Sequence, residues 1–151
     1  MDLVFVQIGL QRYAFPVQAV EEVLPLVEPT WMPAWPENAL GLINVRGELL
    51  PLLDVAPILG RPPSVVHATD RIVVVAAFDR RWGVLVEGVE DVRPGRVTRN
   101  QPAAPREILD PWTLCEGLTL ETAGLAVVVL SPVRLLQSLS RLEPPMSRAS
   151  A

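Results

Sequence analysis

The sequence has few of the residues on which metal centres and nucleophilic enzymes depend. It contains one histidine and one cysteine, and it has no lysine, so that all 13 basic residues are arginines. A single cysteine, Cys115, excludes an internal disulfide, and His67 alone leaves no cluster of the kind that binds zinc. We expect His67 to lie in an exposed loop and Cys115 to be a small, buried hydrophobic residue on a strand. These absences predict no metal site, and they fit a reducing cytoplasm.

Other catalytic groupings are missing as well. The acidic pairs Glu21–Glu22 and Glu90–Asp91 are adjacent in sequence, so their side chains diverge on a helix or a strand and do not flank a substrate. The chain has no glycine-rich phosphate-binding loop. The sequence therefore predicts a protein that is not an enzyme and that uses no cofactor.

Charge and hydropathy limit the choice of partners. The net charge is −4 and the pI is about 5.0, and there is no basic stripe of the kind that binds nucleic acid. No apolar run approaches the roughly 20 residues that a membrane-spanning helix needs, so we expect a cytoplasmic protein without direct membrane insertion. A mean hydropathy of +0.32 nevertheless predicts some apolar surface that partners cover.

Short apolar segments separated by turn residues dominate the chain and predict an all-β fold. Ala19–Leu24 is predicted as a brief helical or bent piece, and Ser131–Pro132 begins a short amphipathic helix. Arg61–Ser64 divides the chain into comparable halves, which suggests paired small β-barrels. The main predicted strands are Val4–Leu10, Tyr13–Val17, Leu42–Val45, Glu48–Leu53, Arg71–Phe78, Trp82–Val86, Leu114–Leu120 and Gly124–Leu130.

A proline-rich arm follows the first hairpin. Prolines recur at intervals of three or four residues between positions 25 and 36, and they preclude a long helix there. Trp31 and Trp35 lie in this arm and allow two interpretations. They cap one end of a barrel core, which we favour, or they form an aromatic docking surface.

The segment Gly41–Val55 is the most informative in the chain. Two apolar runs surround a bend at Asn44–Gly47, and Arg46 is the only charged residue between Glu37 and Glu48. A planar guanidinium is well suited to docking against carboxylates or carbonyls. We therefore predict that Arg46 is a binding determinant.

Two carboxylates are associated with this segment. Glu22 and Arg46 are predicted to form a polar pair at a partner surface; the alternative is an isolated surface pair that contributes about 0–1 kcal/mol. Asp54 ends a predicted strand just before a single helical turn, so we expect it to act as a cap.

Several short motifs follow one another in a fixed order: Tyr13–Val17, Val20–Val23, Gly41–Gly47, Leu50–Asp54, Arg71–Val75 and Gly83–Val89. Together with the late strand and its helix, this series resembles the CheW-like domain of bacterial chemosensory signalling. The resemblance covers roughly Val4 to Leu139. It implies two interleaved five-stranded barrels of the SH3-like type in one domain over residues 1–142, with halves of about 1–60 and 65–142 and a flexible tail over 143–151.

The resemblance also implies a function. A CheW-like domain of this kind is a non-catalytic adaptor that couples the cytoplasmic tip of methyl-accepting chemoreceptors to the regulatory domain of a CheA-type histidine kinase. Such an adaptor serves chemotaxis, surface motility or biofilm control, and it reaches membrane receptor arrays through its partners. The residues implied in kinase binding are Val20, Glu21, Glu22, Arg46 and Gly47. The residues implied in an apolar receptor groove between the barrels are Leu42, Ile43, Val84 and Val86.

An alternative function is that of a small β-barrel that binds single-stranded nucleic acid by stacking bases on aromatic side chains. Arg80, Arg81 and Trp82 are the only conjunction of basic and aromatic residues that favours it. A hairpin tip explains these residues better, and the acidic net charge weighs against the alternative.

Overall fold

The computed structural model describes residues 1–35, 38–98, 115–121 and 124–139. Strands account for most of this part of the chain, so the all-β prediction is confirmed. A 3-10 turn spans Val17–Ala19, and a helix, α1, spans Pro132–Leu139. The strands are β1 (Asp2–Ile8), β2 (Gln11–Pro16), β3 (Val20–Pro25), β4 (Ala39–Val45), β5 (Glu48–Leu53), β6 (Arg71–Ala77), β7 (Arg80–Val86), β8 (Gly88–Pro94), β9 (Val97–Thr98), β10 (Cys115–Leu120) and β11 (Ala126–Leu130).

The first barrel is built from the strand order β8-β1-β2-β11-β10-β9. Its neighbouring strands are antiparallel except for β11 and β2, which are parallel. The strands at the two ends of this order, β8 and β9, are separated along the chain only by Gly95 and Arg96. They are therefore two halves of one bent strand, and the sheet closes into a barrel of five strands.

The second barrel has the strand order β3-β6-β7-β5-β4. The chain that follows β3 closes it, because Thr30 and Leu42 exchange two backbone hydrogen bonds with N–O distances of 2.8 and 2.9 Å. Gly41 has a φ of +139°, and a Cβ at this residue would lie 2.4 Å from the carbonyl oxygen of Thr30. Only glycine allows this approach. Both barrels are thus five-stranded, as the resemblance implied.

The second barrel is inserted between strands of the first: it contains β3 to β7, whereas the first contains β1, β2 and β8 to β11. The segment Arg61–Ser64 lies between β5 and β6, both of the second barrel, so it does not separate the two barrels as the division into halves implied. The prediction of a helical or bent piece at Ala19–Leu24 was wrong beyond the 3-10 turn, since Val20 begins β3. Burial alternates residue by residue along β3, which is the period of a strand with one packed face.

Strands that are buried on both faces separate three hydrophobic clusters. In β1, Leu3 and Phe5 belong to the cluster inside the first barrel, whereas Val4 and Val6 face the second barrel. The strand β6 alternates in the same way. The largest cluster therefore lies between the barrels and makes them one packed unit. Its members include Val4, Val6, Ile8, Tyr13, Phe15, Leu53, Val55, Val73, Val75, Trp82, Val84, Val86, Leu130 and Leu135.

Three predictions about single residues are confirmed. Cys115 is buried on β10, and His67 is exposed in the loop before β6. Asp54 acts as a cap, because its Oδ1 accepts a hydrogen bond from the Ala56 N–H at 3.1 Å. Its Oδ2 also accepts one from the Ser64 N–H at 2.7 Å, so it anchors the loop that follows. The tail predicted over 143–151 lies outside the described residues.

Candidate partner-binding surface

One end of the second barrel brings together all five residues implied in kinase binding. The strand β3 begins here with Val20, and β5 begins here after the Arg46–Gly47 turn. Because β5 and β7 run parallel, β7 also begins here, with Arg80. The strand β6 runs antiparallel to β3 and β7, so it ends here with Ala77. We call this surface the charged end, after the ion-paired side chains of Glu21, Glu22, Arg46, Glu48 and Arg81.

Arg46 pairs with Glu22 at the charged end. Its Nη2 donates a hydrogen bond to Oε2 of Glu22. The side chain of Arg46 is 76% exposed and that of Glu22 is 16% exposed, so the glutamate is the fixed member of the pair. The backbone is also fixed, because Arg46 and Gly47 form a tight turn with φ values of 51° and 84° and the Gly47 N–H donates to Oδ1 of Asn44 at 2.8 Å. The predicted pair is present, and most of the guanidinium faces solvent.

Arg81 joins the other two carboxylates of the charged end, and sequence reasoning did not assign it to the site. Its Nε donates to Oε2 of Glu21 at 2.6 Å, and its Nη1 donates to Oε2 of Glu48. The hydrogen bond to Glu21 is the main cause that raises the pKa of Arg81. Strand register was the one signal that could have found it, because a residue near the start of β7 must lie level with the start of β5.

Apolar side chains accompany these charges. Val20 is half-buried and packs against the cluster between the barrels. Val23 and Leu49, on β3 and β5, are exposed. Exposed apolar side chains beside charged groups are typical of a surface at which proteins associate.

The residues implied in the receptor groove do not form a surface. Val84 and Val86 on β7 are buried in the cluster between the barrels, and Ile43 on β4 is buried inside the second barrel. These three side chains have almost no area to offer a partner, which corrects the prediction. The physical reason is that an apolar side chain that fills a core and one that lines an apolar groove have the same sequence pattern. Leu42 is partly exposed, where it pairs with Thr30.

The two tryptophans of the proline-rich arm lie in different environments. Trp35 is half-buried and packs against the cluster between the barrels, as the capping interpretation predicts. Trp31 is 74% exposed, as the docking interpretation predicts. The capping interpretation therefore does not apply to Trp31, and a docking role for this residue stays a prediction.

The conjunction of Arg80, Arg81 and Trp82 does not form a stacking platform. Trp82 is buried in the cluster between the barrels, and Arg81 is held by two carboxylates. A nucleic-acid base would have no access to the indole ring, so the structure weighs against the nucleic-acid alternative.

A second group of ion pairs closes the mouth of the first barrel. The Glu121 carboxylate accepts hydrogen bonds from Arg12 and, at 2.7 Å, from Arg93. The two guanidinium carbons lie 5.5 and 4.1 Å from the ring centroid of Phe5. These hydrogen bonds, that of Arg12 first, lower the pKa of Glu121. Because Phe5 is buried in the first barrel, this group covers the core, and we assign it a structural role.

The described residues were compared with the side-chain clusters that hold metal ions and with membrane-spanning helices. Within residues 1–35, 38–98, 115–121 and 124–139, no group of three or more His, Cys, Asp or Glu side chains is placed to hold a metal. No helix in the same stretches is long and apolar enough to cross a membrane.

Known proteins resemble this chain in sequence. Residues 2–140 match the family described as CheW-like domain. The chain is 34% identical over 91 residues to the probable chemotaxis protein CheW of Rhizobium etli, an alignment that covers 60% of this chain and 59% of that protein. It is 32% identical over 83 residues to the protein PilI of Pseudomonas aeruginosa, covering 55% of this chain and 47% of that protein. The alignments thus span less than two thirds of these curated relatives.

A solved structure shares the fold. The crystal structure of the scaffolding protein TtCheW from Thermoanaerobacter tengcongensis matches 87% of this chain and 84% of that chain, with a TM-score of 0.74 and 22% sequence identity. This likeness agrees with the two interleaved barrels. Since the family match extends over residues 2–140, the chain belongs to the CheW-like domain family.

Proposed function

We propose that the protein is a non-catalytic adaptor in bacterial chemosensory signalling, which couples methyl-accepting chemoreceptors to a CheA-type histidine kinase. The observation that carries this proposal is the charged end, where residues 20–22, 46–48 and 81 meet on one surface although they are distant in sequence. Membership of the CheW-like domain family suggests the class of partner. The charged end is assigned to the regulatory domain of the kinase.

The charged end suits recognition better than it suits stability. Its ion pairs lie at the surface, where each contributes about 0–1 kcal/mol to folding. Complementary charges across an interface instead fix the register of two partners and exclude wrong ones. Glu22 accepts a hydrogen bond from the guanidinium of Arg46, and the exposed remainder of that guanidinium is available to a carboxylate or a carbonyl of the kinase.

The receptor tip binds away from the charged end in this proposal. Val84 and Val86 are buried, so the receptor surface is drawn from exposed residues near Leu42, beside the arm that carries Trp31. A surface separate from the charged end allows one molecule to hold kinase and receptor together. The adaptor would reach membrane receptor arrays through these two partners.

The test is a binding experiment with two purified partners, the regulatory domain of a CheA-type kinase and a receptor signalling tip from the same cell. We expect the protein to bind both. Arg46→Glu places a carboxylate opposite Glu22 and removes the guanidinium, so it should weaken kinase binding by about tenfold or more, or about 1.4 kcal/mol. Receptor binding should be unchanged.

A matched control is available on the same barrel. Arg71 is an exposed arginine at the opposite end of β6, so Arg71→Glu makes the same charge change away from the charged end and should bind the kinase normally. Circular dichroism must show that both variants are folded. If the unaltered protein binds neither partner, the adaptor function is refuted; if Arg46→Glu binds the kinase as well as Arg71→Glu does, the assignment of the charged end is wrong.

A further inference from the structure

The turn between β6 and β7 holds an aromatic residue in an unusual conformation. Ala77 pairs with Arg80, so Phe78 and Asp79 form a two-residue hairpin loop. Both have positive φ values, 51° for Phe78 and 61° for Asp79. The side chain of Phe78 is also exposed, with 70% of its surface accessible. The residue is therefore both conformationally strained and unburied.

Neither property favours the folded state. Hairpin loops with two positive φ values prefer Asn, Asp or Gly, because a bulky side chain is strained in the left-handed region. An exposed phenyl ring recovers little of that cost through burial. The comparable turn between β4 and β5 also has a bulky first residue with a positive φ, Arg46 at 51°, and it places Gly47 at the second position. Strained residues cluster at sites that bind ligands or partners, so the conformation of Phe78 calls for a function.

The position of Phe78 suggests what that function is. The turn joins the end of β6 to the start of β7, and this is the barrel end at which Glu21, Arg46 and Arg81 lie. The charges there are already paired with one another. A protruding aromatic ring beside a set of paired charges is the usual composition of a binding hot spot with a polar rim.

We propose that Phe78 is the aromatic anchor of the charged end and inserts into an apolar pocket on the regulatory domain of the kinase. This inference rests on the proposed function, because continuity with the charged end identifies the partner. The ring would supply buried apolar area at the interface, and the neighbouring ion pairs would surround it and limit the access of water. Phenylalanine has only two side-chain torsions, and the backbone of Phe78 lies in a tight turn, so little conformational freedom is lost on binding.

The test is the substitution Phe78→Asn, which removes the ring and supplies a residue that the turn prefers. A structural role for Phe78 predicts a lower melting temperature, whereas an anchor role predicts an unchanged or higher one. We expect the melting temperature to stay the same or rise and the affinity for the kinase regulatory domain to fall by about tenfold or more. Opposite changes in stability and affinity would distinguish recognition from folding.

The matched control is Leu10→Asn. Leu10 is 94% exposed in the turn between β1 and β2, next to Gly9, which has a φ of 65°. It is an apolar hairpin residue of the other barrel, so Leu10→Asn should leave the affinity unchanged. If Phe78→Asn binds the kinase as tightly as Leu10→Asn, or if it lowers the melting temperature substantially, the anchor role is refuted.

The same experiment distinguishes failure of this inference from failure of the proposed function. If the unaltered protein binds the regulatory domain, Arg46→Glu weakens binding and Phe78→Asn does not, only the anchor role fails. If the unaltered protein does not bind, the proposed function fails, and the inference about Phe78 fails with it.

Discussion

Closure of the second barrel depends on one glycine, and Gly41→Ala should test this directly. The added Cβ would lie 2.4 Å from the carbonyl oxygen and 2.8 Å from the carbonyl carbon of Thr30. Both are backbone atoms, so no side-chain rotation relieves the overlap. The substitution must therefore separate the two segments or distort Gly41, whose φ of +139° an alanine rarely adopts.

The expected loss can be worked out from these contacts. Separation breaks the two backbone hydrogen bonds between Thr30 and Leu42, at about 0.5–1.5 kcal/mol each. An unfavourable positive φ adds about 1–2 kcal/mol. The free energy of unfolding should thus fall by about 2–5 kcal/mol, and since 1 kcal/mol shifts the melting temperature of a chain of this size by about 2–4 °C, by roughly 4–20 °C.

Urea and thermal unfolding followed by circular dichroism measure this change, with Gly88→Ala as the control. A Cβ at Gly88 on β8 would meet no atom within 4 Å, and its φ is not in the positive region. Gly88→Ala should leave stability unchanged or raise it by up to about 1 kcal/mol. If Gly41→Ala costs no more than Gly88→Ala, the Thr30–Leu42 pairing does not close the barrel.

Two further predictions concern the cores. Phe15→Ala removes a fully buried ring from the cluster between the barrels and should lower the free energy of unfolding by about 3–5 kcal/mol in urea; a loss below 1 kcal/mol would mean that the barrels are not packed together. Because Arg12 and Arg93 lower the pKa of Glu121, the stability it contributes is present above its unfolded value of about 4.5 and is lost as the pH falls through the folded value. Urea unfolding can be measured at intervals of about one pH unit between pH 3 and 6. The free energy of unfolding should fall less with decreasing pH in Glu121→Gln than in the unaltered protein, and equal losses would contradict the structural role of Glu121.

The strands were predictable because the apolar runs and the turn residues around them favour the same local structure. The segment Arg71–Phe78 is almost entirely apolar, and all of it except Phe78 forms β6, in which Ile72 to Val75 are buried. The Asn44–Gly47 bend carries its own turn chemistry, and the turn lies there. The prediction for Ala19–Leu24 was wrong because its two adjacent glutamates obscure the alternation, in which Val20, Glu22 and Leu24 are the less exposed residues of β3.

The candidate binding surface was predictable only in part, since strand register depends on contacts that are distant in sequence. Arg81 lies at the charged end because β5 and β7 pair in parallel, and parallel pairing leaves no local signal. Val84 and Val86 were assigned to a groove because two barrels imply one, but the sequence does not show that the space between the barrels is filled. Arg61–Ser64 lies in a loop, but this loop connects β5 and β6 of the second barrel and does not separate the two barrels.

Substitutions of Arg46 and of Gly41 should have different effects on the free energy of unfolding. Arg46 is 76% exposed, so its pair with Glu22 contributes about 0–1 kcal/mol to stability, and Arg46→Glu should cost the fold little even with two carboxylates facing each other. Gly41 has the opposite character, because its substitution disturbs backbone closure and changes no charged group. An exposed arginine that is paired at the barrel end adds little stability, and in the proposed function the pair acts on a partner and not on the fold.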